Sequence, residues 1–431
     1  MNMSRRVAIA FAALIAIIIV IGATRGVSTA LLLTGVSSIY ALVALGLNIQ
    51  FGYGGLSNLA IMGLLMIGGM MVSAVSMPIN GAFWASDGPM MLGRAFAAAL
   101  AGAALVFATH QLWRIGVPRR VVMWLKVLAW FVGYVAYRTQ IDPAAEYIET
   151  QVQGGWVGGL GLPVWLGYAA AGVLAGLAAW GIGKISLGLR SDYLAIATIG
   201  VSEIIRAFVK NMDWLTRGTL TVTPIPWPVP LPGAYQEQGV DIQTSFVFGL
   251  GGFALVSIAV LVVAVLLVER AYGGPWGRMM RAVRDNHIAA SSMGKDVKAR
   301  QIEIFVFGAV LMGIGGAMLS SYNQLFDPGG YIPINHTFLI WVMVIVGGMG
   351  NSYGAVLGGF LVYLMWAMSE PVSAAIFGQV SNVTTSIGWG PIPEIDSRAA
   401  QMRVFVLGLV IWLSLRFAPK GLLPEVIRRH V

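Results

Sequence analysis

Residues 269–300 read ERAYGGPWGRMMRAVRDNHIAASSMGKDVKAR and separate two long apolar runs, 246–268 and 302–321. The stretch is mostly basic, whereas each flanking run has the roughly 20 apolar residues that cross a bilayer. A basic segment between two spans is typical of the cytoplasmic side of a membrane protein. The sequence therefore predicts a cytoplasmic loop at 269–300, which faces either a soluble partner or the surface of the lipid.

The composition of the chain extends this interpretation to all 431 residues. Hydrophobic residues make up 58% of the chain and charged residues only 10%, whereas soluble proteins carry about 25% charged residues. The apolar runs lack two-residue alternation, which favours helices over a barrel. We therefore predict an all-α integral membrane protein, a polytopic bundle of about 10 spans with broken or re-entrant segments. Residues 1–431 then form a single transmembrane domain.

The charges and the missing residue types exclude several functions. The net charge of +9 fits the excess of Lys and Arg in cytoplasmic loops better than it fits nucleic-acid binding. The chain has no cysteine, and its four histidines are scattered, so no metal-site spacing is visible. We find no cluster of residues for covalent chemistry and assign no catalytic site.

The basic loops also predict the topology. Residues 7–23 are the first span, and Arg5 and Arg6 before it place the N-terminus in the cytoplasm. The acidic or neutral segments 138–161 and 369–400 are predicted as outer loops. The last span, 404–415, then returns the chain to a basic tail on the inside.

Two apolar runs are interrupted by glycine and asparagine. The first interruption is GLNIQFGYGGLSN at 46–58 and the second is GGMGNSYG at 347–354, and both contain G-G-x-x-N. Interrupted helices often lie at the solute site of transporters, although a tight turn between two spans explains the first one equally well. The candidate solute-pathway residues are Gly54, Asn58, Gly348 and Asn351.

One acidic and one basic residue fall in a further helical segment. Glu203 and Arg206 are three residues apart and share a helical face. Charges at membrane depth are costly and are usually paired. We predict a structural intramembrane ion pair, with a part in the permeation path as the alternative.

Several separated segments together resemble one family, the permeases of branched-chain amino acid ABC importers, and in particular the LivM-type subunit. The resemblance covers most of 40–76 and 186–368, and also 403–424; relative to the family, 77–160 is an extended region. The segments are GLNIQFGYGGLSNLAIMG, SDYLAIATIGVSEIIRAFVKNMDWLTRGT, PWGRMMRAVRDNHIAASSMGKDVKARQIEIFVFGAVLMGIGGAML, VMVIVGGMGNSYGAVLGG and LRFAPKGLL.

The resemblance implies an importer subunit in the inner membrane of a bacterium. It implies a second, LivH-type permease, two cytoplasmic ATPase subunits and an extracytoplasmic solute-binding protein. The chain has no G-x-x-x-x-G-K-[ST] phosphate loop, so ATP and magnesium are expected on the partner subunits. The solute is expected to be a branched-chain amino acid, with urea or a short amide as the alternative. An ion-coupled secondary carrier is the alternative from another class.

The resemblance also implies that residues 269–300 are the coupling loop, because A-A-x-x-x-G at 289–294 matches the family. Pro275 fits the first turn of a short helix, and Gly294 fits its C-terminal cap. Small residues allow this helix to dock closely in an ATPase groove. The candidate coupling residues are Arg281, Asp285, Ile288, Ala289, Ala290, Met293 and Gly294.

Overall fold

The structure, a computed structural model, describes residues 3–112, 116–388 and 390–425. The basic tail residues Arg428 and Arg429, which the sequence places inside, lie outside the described residues. A π-helical turn, Asn48–Tyr53, extends the helix that ends at Leu47, and a second one, Ile334–Phe338, leads into the helix that begins at Leu339. The helices in chain order are α1 (Met3–Arg25), α2 (Val27–Leu47), α3 (Ile61–Ser76), α4 (Gly81–Trp84), α5 (Gly88–Gln111), α6 (Arg119–Gln151), α7 (Val164–Ser186), α8 (Ser191–Lys210), α9 (Asp213–Thr216), α10 (Pro232–Gln236), α11 (Ile242–Gly273), α12 (Pro275–Asp285), α13 (His287–Ser292), α14 (Val297–Asn323), α15 (Leu339–Gly347), α16 (Ser352–Ser386) and α17 (Ile395–Phe417).

The helices confirm the predicted class. Within the described ranges, nine helices are long and apolar enough to cross a membrane, and Ile61–Ser76 and Asn335–Gly347 are shorter apolar helices. Extended pairing in the same ranges is limited to two isolated antiparallel bridges. The chain is therefore an all-α, multi-pass membrane protein with interrupted helices.

The core of the bundle is built around α14, which packs against α2, α3 and α7. Glycines bring α3 and α14 into backbone contact. A Cβ atom added at Gly68 would overlap the carbonyl oxygen of Gly313, and one added at Gly316 would overlap that of Leu65. Close approach of this kind is how helices gain packing energy where there is no water to expel.

Helices α5 and α6 form a hairpin that packs chiefly on itself. They cross at Gly102 and Gly133, where a Cβ on either residue would lie 2.8 Å from the Cα of the other. A small buried cluster that includes Phe83 and Trp214 joins the hairpin to the rest of the chain. The predicted outer loop at 138–161 is wrong up to Gln151, because α6 continues through it. Polar residues do not end a helix that keeps a buried face, here Ile141, Ala144 and Ile148.

The predicted loop at 369–400 is helical over most of its length, and its position on the outer side stays a prediction. Helix α16 runs on to Ser386 with Pro371 inside it, and α17 begins at Ile395, well before the predicted span at 404–415. A proline is tolerated in a membrane helix when neighbouring groups satisfy the backbone. An ion pair between Glu370 and Arg403 joins the two helices along this extension.

Candidate functional site: the coupling loop and the two helix breaks

The predicted loop 269–300 contains two short helices. Helix α12 begins at Pro275, as the sequence predicts, and buries Gly277, Met280 and Val283. The turn before it is tight, because a Cβ atom on Gly277 would overlap the backbone of Tyr272. The indole Nε1 of Trp276 donates to Glu303 Oε2 over 3.0 Å, which ties α12 to α14.

The single short helix expected here is wrong, because Asn286 divides it. This residue leaves the helical region at φ −155° and ψ 96°, and its Oδ1 accepts from the backbone N–H of Ala289 over 3.0 Å. An Asn that caps a following helix in this way favours a new helix start over continuation. Helix α13 therefore begins at His287 as a separate helix.

Helix α13 ends at the glycine that the sequence predicts as its cap. Gly294 has φ +76° and donates to the Ser291 carbonyl over 2.9 Å, while Lys295 N–H donates to the Ala290 carbonyl over 3.2 Å. This pair of bonds is the Schellman arrangement. The chain then enters α14 directly, because Asp296 Oδ1 accepts from Ala299 N–H.

An open, largely apolar groove of about 610 Å³ lies between α12 and α13. Four of the predicted coupling residues line it, whereas Arg281, Ile288 and Gly294 do not. Ile288 and Met293 are large apolar side chains that are 68% and 80% exposed. The groove is lined by Pro275, Trp276, Met279, Ala282, Asp285, Asn286, Ala289, Ala290, Met293 and Lys295.

The first helix break is held by buried polar side chains. Gln50 Nε2 donates to the Phe305 carbonyl over 2.7 Å, and Gln50 Oε1 accepts from Asn58 Nδ2 over 2.7 Å. Asn58 Oδ1 also accepts from Ala60 N–H over 2.8 Å. Asn58 is fully buried, and its side chain fixes the irregular backbone before α3. Of these residues, sequence reasoning selected Asn58 and missed Gln50, although a polar residue inside an apolar run was a usable signal.

The second break lies against the first. Asn48 Oδ1 accepts from the backbone N–H of Gly350 over 2.9 Å. Gly348 has φ +120° at the end of α15, and Asn351 caps α16 by accepting from Tyr353 and Gly354. The structure thus brings together the segments that hold Gly54, Asn58, Gly348 and Asn351. The side chains of Asn58 and Asn351 are engaged in bonds within the fold, and a solute contact by any of the four stays a prediction.

Arg284, which the sequence analysis did not select, joins α12 to the first break. Its Nη1 donates to the Gly52 carbonyl over 2.6 Å and lies 3.0 Å from Glu425 Oε2, while its Nε donates to Asp285 Oδ1 over 3.2 Å. Burial alone would lower the pKa of this guanidinium, but the carboxylates of Glu425 and Asp285 outweigh burial and raise the pKa above its ordinary value.

Glu203 and Arg206 lie close together on α8, with Arg206 Nη1 3.5 Å from Glu203 Oε2. Two buried hydroxyl side chains of α8 support the start of α3. Thr198 Oγ1 accepts from Leu59 N–H over 3.0 Å, and Ser202 Oγ accepts from Gly63 N–H over 2.9 Å. These hydroxyls satisfy backbone donors that the helix start leaves free. Sequence reasoning missed them, because a Ser or Thr in a helix gives no signal of its distant partner.

The fold is that of a multi-pass helical membrane protein in which two interrupted segments lie against each other. Residues 127–415 match the family described as the permease component of branched-chain amino acid transport systems, and the chain belongs to this family.

Several relatives of the chain are also named as branched-chain amino acid transport permeases. The high-affinity branched-chain amino acid permease LivM of Escherichia coli K12 is 28% identical over 214 residues, or 47% of this chain and 50% of that protein. A LivM permease of Methanocaldococcus jannaschii is 22% identical and covers 90% of this chain and 91% of its own length. A LivH permease from the same organism is 26% identical over 34% of this chain and 46% of its own length. The match thus spans about half the length of the Escherichia coli LivM. No solved structure matches the chain.

Proposed function

We propose that this chain is a permease subunit of an ABC importer and forms half of the pathway for a branched-chain amino acid. The observation that carries the proposal is the apolar groove between α12 and α13 in a member of this permease family. Ile288 and Met293 present exposed apolar surface beside it. A concave apolar site fits a protein partner, whereas a loop that lies on anionic lipid needs a flat basic face.

The partner at this groove is a cytoplasmic ATPase subunit. The chain has no phosphate-loop motif, so ATP and magnesium are bound by two ATPase subunits, and this chain is not itself an enzyme. Movement of α12 and α13 by the ATPase then alternates the access of the solute. Asp285, Ala289, Ala290 and Met293 make the docking contact, and the remaining coupling residues shape the loop around it.

The rest of the assembly follows from the same proposal. A LivH-type permease forms the other half of the pathway, and a binding protein delivers solute from outside. The supporting observation is that both LivM and LivH proteins are among the relatives of this chain. The assembly lies in the inner membrane of a bacterium, with the N-terminus of the chain in the cytoplasm.

The solute is a branched-chain amino acid, in line with the names of the LivM relatives. An ion-coupled carrier needs carboxylates that bind ions within the membrane. Glu203 is the strongest candidate for that role, and it is paired with Arg206. This pairing supports a structural ion pair over an ion site.

Purification of the tagged chain from its native membranes in mild detergent tests the proposal. We expect ATPase subunits and a second permease to co-purify. Proteoliposomes that hold this complex and ATP should take up radiolabelled leucine when the binding protein is added. Uptake by the chain alone under an ion gradient would overturn the proposal, and ATP-driven uptake of urea or acetamide in place of leucine would overturn the choice of solute.

A further inference from the structure

The first helix break exposes a carbonyl group that the coupling loop satisfies. After the π-helical turn, the N–H groups of Gly54, Gly55 and Leu56 donate to Ile49, Phe51 and Gln50, respectively. None of these three bonds reaches the carbonyl of Gly52, which accepts from Arg284 instead. A cation at the C-terminal end of a helix is favourable, because the carbonyls there carry partial negative charge.

The second break is satisfied by the segment that follows α17. The N–H groups of Leu422 and Leu423 donate to the carbonyls of Val346 and Gly347, each over 2.9 Å. Asn351 Nδ2 donates to the Pro424 carbonyl over 3.3 Å. Residues 421–425, named here the C-terminal strap, therefore hold the end of α15 and the start of α16 together.

One ion pair connects these two arrangements. Arg284 Nη1 lies 3.0 Å from Glu425 Oε2, and Arg284 Nη2 donates to Glu425 Oε1 over 3.2 Å. The two side chains are only 20% and 22% exposed. A two-point contact between a guanidinium and a carboxylate fixes orientation as well as distance. The guanidinium of Arg284 thus connects α12 both to the first break and to the C-terminal strap.

We propose that Arg284 is a positioning residue that transmits movement of the coupling loop to both helix breaks. The inference rests on the proposed function, because it needs an ATPase to move α12. When α12 shifts, the guanidinium carries the Gly52 carbonyl and Glu425 with it. Glu425 lies in the C-terminal strap, which is bonded to the second break. Both interrupted helices therefore move with the loop as one unit.

Transport by the reconstituted complex tests this proposal through the number of leucine molecules taken up per ATP hydrolysed. We expect Arg284→Gln and Glu425→Ala each to lower this ratio at least tenfold while the ATPase subunits still co-purify. The double variant should be no worse than either single variant, because the two residues act as a unit. Arg278→Gln is the control, since this arginine is exposed on the same helix, and its ratio should stay within twofold of wild type.

A distance measurement keeps the proposal testable if uptake is lost for another reason. The chain has no cysteine, so spin labels attach only at Arg278→Cys on α12 and at Leu422→Cys in the C-terminal strap, both exposed positions. In the chain that keeps Arg284, we expect the distance between the labels to be the same with and without ATP. In the Arg284→Gln background it should change or broaden by several ångströms.

The possible results separate the inference from the proposed function. An uptake ratio within twofold of wild type for Arg284→Gln, or a label distance unaffected by that change, overturns the inference alone. Absence of ATP-driven uptake in the wild-type complex overturns the proposed function.

Discussion

Replacement of Gly294 by alanine tests whether the ATPase recognises the capped form of α13. Gly294 has φ +76°, and a Cβ atom added there meets nothing within 4 Å. The substitution therefore introduces no clash, and its only cost is the left-handed backbone of an L residue, about 1–2 kcal/mol. If the partner binds α13 in this conformation, its affinity should fall by a factor of about 5–30.

The assay is a titration of the purified ATPase subunit onto the solubilised chain, with the dissociation constant read from thermophoresis. Gly294→Asn should weaken binding less than Gly294→Ala, because Asn tolerates the left-handed region better. Gly273→Ala is the matched control. Gly273 also has open space around it, but it ends α11 in a helical conformation.

Two results would refute this reasoning. Binding of Gly294→Ala within twofold of wild type would show that the cap is not needed for recognition. An equal loss of affinity in Gly273→Ala would show that any added methyl group near the loop weakens binding, whatever the backbone angle.

Three further predictions concern the packing, the first break and the groove. Gly68→Ala should prevent recovery of folded protein, because the new methyl group overlaps the Gly313 carbonyl. Size-exclusion chromatography of this variant should show aggregate. The control Gly200→Ala, whose new methyl group meets nothing within 4 Å, should elute as wild type. Asn58→Leu leaves buried partners without their bonds and should destabilise the fold by about 2–5 kcal/mol; an unchanged melting temperature would contradict this. Ala290→Arg should place a charge in the groove and abolish co-purification of the ATPase. Retention of the ATPase at wild-type level would contradict the docking site. Ser291 does not line the groove, so the control Ser291→Arg should still co-purify with the ATPase.

The sequence predicts the membrane class and both helix breaks, because these depend on local composition. Adjacent glycines followed closely by asparagine inside an apolar run favour an interruption of the helix through local backbone preferences. The sequence does not predict the extent of α6 and α16, since polar residues such as those after Arg138 or Glu370 are compatible with either a loop or a helix. Tertiary packing decides between them.

In the candidate site, too, local features could be predicted from the sequence, whereas tertiary contacts could not. The sequence predicts Gly294 as a cap, because a cap is a local feature. Asn286 is an equally local capping residue, but the sequence analysis does not predict that it divides the coupling loop into two helices. The Arg284–Glu425 pair joins residues that are 141 positions apart. No pattern in one sequence brings such residues together, so this contact required the fold.

The self-packed hairpin of α5 and α6 has a consequence for how the chain is made. Its crossing at Gly102 and Gly133 joins residues that leave the ribosome close together in time, and loop closure over such a distance costs little entropy. The contact of α2 with α16, by contrast, waits until more than three-quarters of the chain has been synthesised. During biosynthesis the hairpin can therefore assemble early as a pair of spans, before the helices that surround α14 have their partners.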